Sequence, residues 1–204
     1  MKICIIGAGI TGLASAYKLS KLGHEVKIFE SSPFSGGQAS TIKINDFEIE
    51  KAYHHLFVTD KSILNLYKDL GIESELEWFN SSVATYANNK TWPTTTPIDL
   101  LTLPIIPFKE RIKLSFISIR LKLINNWKKF ENITAYDWLS KHVSEDTFKI
   151  IFEPLLRGKF GKYYKQICMP WFWAKIQSRV SSRNKKFQEI LCYPKSSFSF
   201  LIKK

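Results

Sequence analysis

Apolar positions come first as a short unbroken run, Ile3-Cys4-Ile5-Ile6, the mark of a strand covered on both faces of a parallel sheet. The spacing then changes. Leu13, Ala16, Leu19 and Leu22 share one arc at 3.6 residues per turn while Lys18 and Lys21 fall on the other, which predicts a helix over 10–22. Gly23 supplies its left-handed end. Val26-Lys27-Ile28-Phe29-Glu30 reads as a second strand, so the first thirty residues make a βαβ unit with an expected right-handed crossover.

Residues 40–50 alternate and turn at Asn45-Asp46, predicting a hairpin. Asp60 is placed to cap a helix carrying Ile63, Leu66, Tyr67 and Leu70, and Gly71 stops it. A second hairpin is expected over 83–92 with its turn at Asn88-Asn89. The proline-punctuated stretch 93–107 reads as a surface loop. Next comes a helix over 108–127 with two apolar faces: Ile112, Phe116, Ile119, Leu123 and Trp127 on one, and Leu114, Ile117, Leu121 and Ile124 nearly opposite. A helix sandwiched between two layers accounts for this pattern, and so does contact with a membrane surface or a lipid substrate. Lys113, Arg120 and Lys122 argue against a transmembrane span. Thr134-Ala135-Tyr136-Asp137 resembles a capping box. Ser144 should cap a helix reaching about Leu156, with Pro154 kinking or ending it. Pro170 suits the start of a last helix bearing Trp171, Trp173, Ala174 and Ile176.

At 204 residues and 45% hydrophobic, the chain can bury a substantial core. Cys4, Cys168 and Cys192 lie far apart, which argues against disulfides or a zinc site and fits a reducing compartment. No signal-peptide pattern precedes the first strand, so the expected location is cytoplasmic, with the option of a peripheral membrane contact through 108–127. Residues 1–100 carry nine Lys/Arg against eleven Asp/Glu, and residues 101–204 carry twenty-one against seven. The cations of the second half are scattered among Leu, Ile, Phe and Trp. A membrane surface, an acidic substrate or an acidic partner segment fits them better than nucleic acid.

The turn between the first strand and helix carries the chemistry. Gly7-Ala8-Gly9-Ile10-Thr11-Gly12 places one glycine for the tight turn, one for close approach to a pyrophosphate and one for helix–strand packing. The helix then offers its opening N–H groups and positive dipole end to the phosphates. Glu30, with Ser31 after it, is positioned for the ribose hydroxyls, and an acid there disfavours a 2′-phosphate. A dinucleotide is therefore the expected ligand.

Glu30-Ser31-Ser32-Pro33-Phe34-Ser35-Gly36-Gly37-Gln38-Ala39-Ser40 resembles the extended fingerprint of the FAD-dependent amine oxidase, protoporphyrinogen oxidase and phytoene desaturase superfamily. Tyr53-His54-His55-Leu56-Phe57 and the stretch from Glu153 to Gly161 resemble later segments of those proteins with less specificity. The resemblance implies an α/β fold: a Rossmann-like FAD-binding domain with an inserted, mostly helical substrate domain. It implies FAD as cofactor, oxidation of a C–N or C–C bond by hydride transfer to flavin, and a small-molecule substrate of apolar or lipid-linked type. It adds Gly36, Gly37, Gln38 and Ser40 to the cofactor-binding set. The expected organisation is 1–58 for the start of the FAD domain, 59–190 for the helical domain and 191–204 for a return to the FAD domain. By the same resemblance the chain reads as truncated, an N-terminal portion whose missing C-terminal half or partner chain would close the flavin site.

No residue announces itself as a general base. Tyr53, His54 and His55 are options for the flavin's face, though adjacent residues on a strand point to opposite sides. Arg157 suits either a substrate anion or a salt bridge, and Trp171 and Trp173 suit either a pocket wall or the core. No metal-ligand spacing is present. Two other readings stay open: a mutase resembling UDP-galactopyranose mutase, whose diphosphate substrate would suit the basic half, and a non-catalytic subunit that pairs with another chain.

Overall fold

The computed structural model describes residues 1–52 and 54–204 and divides into two compact units, Met1–Phe79 with Leu191–Lys204, and Asn80–Ile190. Tyr53 lies outside the described residues.

The first unit opens with β1 (Lys2–Ile6), α1 (Ile10–Lys21) and β2 (Glu25–Phe29). The strands pair in parallel from Lys2↔Glu25 to Ile6↔Phe29, and Gly23 takes the left-handed conformation expected of it (φ +79°). β1 is not covered on both faces as its unbroken apolar run suggests. Ile3 and Ile5 are half-buried, but Cys4 and Ile6 are exposed, because α1 packs on the pair from one side only. The hairpin Thr41–Ile44/Phe47–Glu50 turns at Asn45, whose φ is +53°. In α2 (Lys61–Asp69) the Asp60 side chain is not the cap the spacing implied. Its Oδ2 instead accepts the Phe57 N–H at 2.9 Å, closing the turn that leads into the helix.

Leu66 and Tyr67 of α2 pack with Leu56, Ile72, Cys192, Phe198 and Leu201. That packing keeps residues 59–79 in the first unit, whereas the sequence reading began the helical domain at 59. Glu50 ties the returning chain down: its Oε1 accepts the Phe198 N–H at 2.8 Å and its Oε2 the Tyr193 hydroxyl. Burial pushes the Cys192 thiol up to about 11, so it stays a neutral core thiol.

The second unit is mostly helical around Leu114, Ile117, Leu121, Leu139, Leu156, Met169 and Phe172. Its hairpin, Ala84–Ala87 with Lys90–Pro93, turns at Asn88 and Asn89, both at positive φ. The expected loop over 93–107 contains a helix, Pro97–Thr102, with a complete capping box between Thr96 and Asp99. The long helix runs Phe108–Leu123 and stops four residues short of expectation. Trp173 Nε1 and Gln177 Nε2, from the helix Met169–Ser181, donate to the carbonyls of Leu121 and Ile124, consuming acceptors that a further turn would use. Trp127–Phe130 is a separate 3-10 turn.

Only one face of this helix is covered. Leu114, Ile117 and Leu121 are buried, while Phe108, Phe116, Ile119 and Leu123 are exposed, so the sandwiched arrangement does not occur within this unit. Thr134 and Ser144 cap as expected. Pro154 is absorbed by a π-helical stretch, Phe148–Phe152, after which the helix continues over Glu153–Phe160. A widened turn is a known way to carry a helix past a residue that lacks an N–H.

Candidate functional site

The site grows from the turn joining β1 to α1. Gly7 has φ +96° and its N–H donates to Phe29 O at 2.7 Å, which ties the turn to the end of β2. Gly9 is the N-cap of α1 and supplies no side-chain cap, so the helix's opening N–H groups are left for solvent or a ligand. The glycines differ in what the fold demands of them. A Cβ on Gly12 would lie 2.0 Å from Gly7 O, whereas a Cβ on Gly9 would have no heavy atom within 4 Å. The fold itself requires Gly12. Among the described residues no atom stands where a Gly9 side chain would go, and that open space is of the kind a phosphate would fill.

Glu30 turns back toward this loop. Its Oε2 accepts the Ala8 N–H at 2.7 Å, its Oε1 accepts the Ser32 N–H at 2.8 Å, and the Ser31 hydroxyl makes a longer contact of 3.4 Å. The Ser32 N–H first, and the Ala8 N–H second, hold its carboxyl below the usual carboxylate range, so Glu30 is charged at neutral pH. Oε2, with the Ala8 N–H as its one donor, keeps a lone pair to accept a further hydroxyl, and Oε1 could take a second by displacing the long Ser31 contact.

The second glycine pair folds onto the first turn. Gly36, at φ +103°, donates its N–H to Ala8 O at 2.7 Å and forms a parallel bridge with Gly9. A Cβ on Gly37 would meet Gly9 Cα at 3.3 Å, so the two chains run in close contact. Ser40 is buried and its Oγ donates to Gly37 O at 2.7 Å. Its hydroxyl is spent on holding this turn.

A groove of about 860 Å³ runs past these elements, lined by Gly7, Gly9, Ile10, Thr11, Gly12, Gly36 and Gln38 together with Ser15, Ala39, His54, Leu56, Ile63 and Phe198. Ala8, Glu30, Ser31, Gly37 and Ser40 are not among its lining residues. Ser32 was not singled out by the sequence, and only its place two residues after the acid marks it. Phe198 carries no sequence signal either; Glu50 holds its backbone, and its ring meets that of His54 edge-on at 5.9 Å. His55 turns to a different neighbour, Phe57, with ring centroids 5.0 Å apart.

In the second unit, Arg157 Nε donates to Glu153 at 2.6 Å and its guanidinium lies over the Tyr164 ring. Trp171 packs edge-on against Phe160, and Trp173 acts through its indole N–H on the helix end described above. Among the described residues no group of three or more His, Cys, Asp or Glu comes together to hold a metal ion. None of the helices described is long and apolar enough to cross a membrane.

Residues 5–70 match the family model of the NAD(P)-binding Rossmann-like domain. The zeta-carotene desaturase of Zea mays is 36% identical over 77 residues, covering 37% of this chain and 14% of that protein. Protoporphyrinogen oxidase 2 of Arabidopsis thaliana is 22% identical over 164 residues, 77% of this chain and 32% of its own length. Among solved structures, an oxidoreductase from Methanosarcina mazei superimposes with a TM-score of 0.67 at 20% identity, over 100% of this chain and 47% of that one. The chain thus spans about a third or less of those two curated relatives and about half of the solved structure. The α/β Rossmann-like fold is established, and the resemblance to the amine oxidase, protoporphyrinogen oxidase and phytoene desaturase superfamily is borne out.

Proposed function

We propose that this chain carries the dinucleotide-binding unit of an FAD-dependent oxidoreductase that takes a hydride from a C–N or C–C bond of a small, apolar or lipid-linked substrate. The observation that carries the reading is the Glu30 carboxylate, charged and fixed against the Ala8 N–H beside the uncapped start of α1. A carboxylate suits two ribose hydroxyls, and the adjoining N–H groups and helix dipole suit two phosphates. A 2′-phosphate is disfavoured, since residues 31–40 hold no Lys or Arg to meet it. The bridge between Gly9 and Gly36 favours FAD over NAD, because it packs a second glycine turn, absent from the basic NAD motif, against the phosphate loop.

When bound, the flavin supplies the electron sink. The chain's own residues bind and orient: the turn from Gly7 to Gly12 takes the diphosphate, Glu30 takes the ribose, and Gly36 holds the second turn in place. The reading further expects that a C-terminal half or a partner chain completes the flavin end, so that the isolated chain holds FAD weakly.

Titration with FAD, ADP and NAD separates the parts of this reading. Quenching of flavin fluorescence that ADP reverses supports it; NAD binding more tightly than FAD overturns the cofactor, and no ADP binding at millimolar concentration overturns the site. For the completed protein, anaerobic mixing with substrate should bleach the flavin. Turnover that requires prior flavin reduction and yields no net oxidation would move the reaction to the sugar-nucleotide mutase class.

A further inference from the structure

We infer that the outer face of the helix Phe108–Leu123 docks on the surface of an anionic lipid bilayer. Phe108, Phe116, Ile119 and Leu123 are 64%, 68%, 57% and 73% exposed, and Ile112 joins them at 37%. At 3.6 residues per turn these five fall within a stripe about 80° wide that runs the length of the helix. The face opposite is the one buried in the unit's core, through Leu114, Ile117 and Leu121. Trp127, just past the helix end, is also exposed.

Charge identifies the occupant. Lys109 and Arg120 stand on one flank of the stripe and Lys122 on the other, while Lys113 pairs with Glu110 and Arg111 folds back onto the carbonyls of Ile106 and Leu101. Lys128 and Lys129 follow, and they line a groove with Phe116, Ile119, Arg120 and Leu123. The single acid between 108 and 129 is Glu110, buried on the opposite face, where it accepts the Ser144 N–H. An apolar stripe bordered on both sides by cations matches a helix lying in a membrane interface, its rings in the acyl boundary and its Lys and Arg stems reaching the headgroups. A second copy is a poor occupant, since a two-fold contact would bring two cation-bordered stripes together with no outward acid between 108 and 129 to answer the charge. The inference stands independently of the cofactor reading, because no residue of the glycine turns takes part.

Co-sedimentation of the full chain with vesicles tests it. The chain should pellet with phosphatidylcholine vesicles containing phosphatidylglycerol, less with phosphatidylcholine alone, and less as salt rises. The double substitution Phe116→Ser/Leu123→Ser should weaken this binding roughly tenfold or more. Phe47→Ser, at a 72% exposed position of the first unit, should leave it unchanged. If the apolar pair fails to fold, Arg120→Glu/Lys122→Glu tests the charged flanks alone, with the same loss expected. Equal binding by these variants, or no preference for anionic vesicles, overturns the inference. So does a dimer, seen by light scattering, that Phe116→Ser/Leu123→Ser splits.

Discussion

The glycine turn of the first unit and the long helix of the second use the chain in opposite ways. In the turn, backbone atoms are the working parts: N–H groups at the start of α1, carbonyls that tie Gly36 to Ala8, and positions where a missing side chain is the feature. In the helix, side chains are the working parts, and one segment holds both a core face and an outward apolar face. The difference decides which substitutions damage the fold and which touch only function. Within the turn, the two kinds sit three residues apart, at Gly12 and Gly9. Within the helix, they sit two residues apart, at Leu121 and Leu123.

The largest effect is expected from Gly12→Ala. Its methyl would lie 2.0 Å from the Gly7 carbonyl oxygen, a backbone atom that cannot swing aside, so the first unit should lose about 3–5 kcal/mol. Urea unfolding followed by circular dichroism checks this, and a variant of ordinary stability would show that the turn is looser than described. Leu121→Ala, at a fully buried position, should cost about 2–5 kcal/mol by the same measurement. Leu123→Ser should stay within about 0.5 kcal/mol of the parent. Similar losses at both positions would mean the outer face is covered after all.

A smaller effect is expected at Glu30. Glu30→Gln keeps the shape and removes the charge, so ADP affinity should fall roughly tenfold while the fold survives. Its pH dependence has a definite sign. The Ser32 and Ala8 N–H groups lower the carboxyl in the folded chain, so its contribution is full above the unfolded carboxylate value of about 4.3 and is lost as pH falls through the lower folded value. The parent should therefore lose stability in acid more steeply than Glu30→Gln. Parallel acid unfolding curves would remove Glu30 from the account.

Backbone-driven features were the most legible in the sequence. The βαβ unit, the two hairpins with their Asn turns and the approach of Glu30 to the glycine loop all depend on local spacing, and all appear. What stayed hidden depends on contacts between distant residues. The stop at Leu123 is made by Trp173 and Gln177, about fifty positions away, and Phe198 reaches the groove only because Glu50 holds it. One departure is local: Thr96-Pro97-Ile98-Asp99 is a full helix-start signal inside a stretch whose prolines suggest a loop. The apolar run of β1 implied cover on both faces, but an unbroken run reports only that such cover would be tolerated.

Gly9 offers the most direct trial of the central claim, that the loop between β1 and α1 binds the diphosphate of a dinucleotide. Its φ is −71° and its surroundings are open, so Gly9→Ala should leave stability within about 0.5 kcal/mol of the parent. Calorimetric titration with ADP should nonetheless show affinity reduced by roughly tenfold or more, because the added methyl takes the space reserved for phosphate. An alanine variant that folds normally and binds ADP as tightly as the parent would contradict the account.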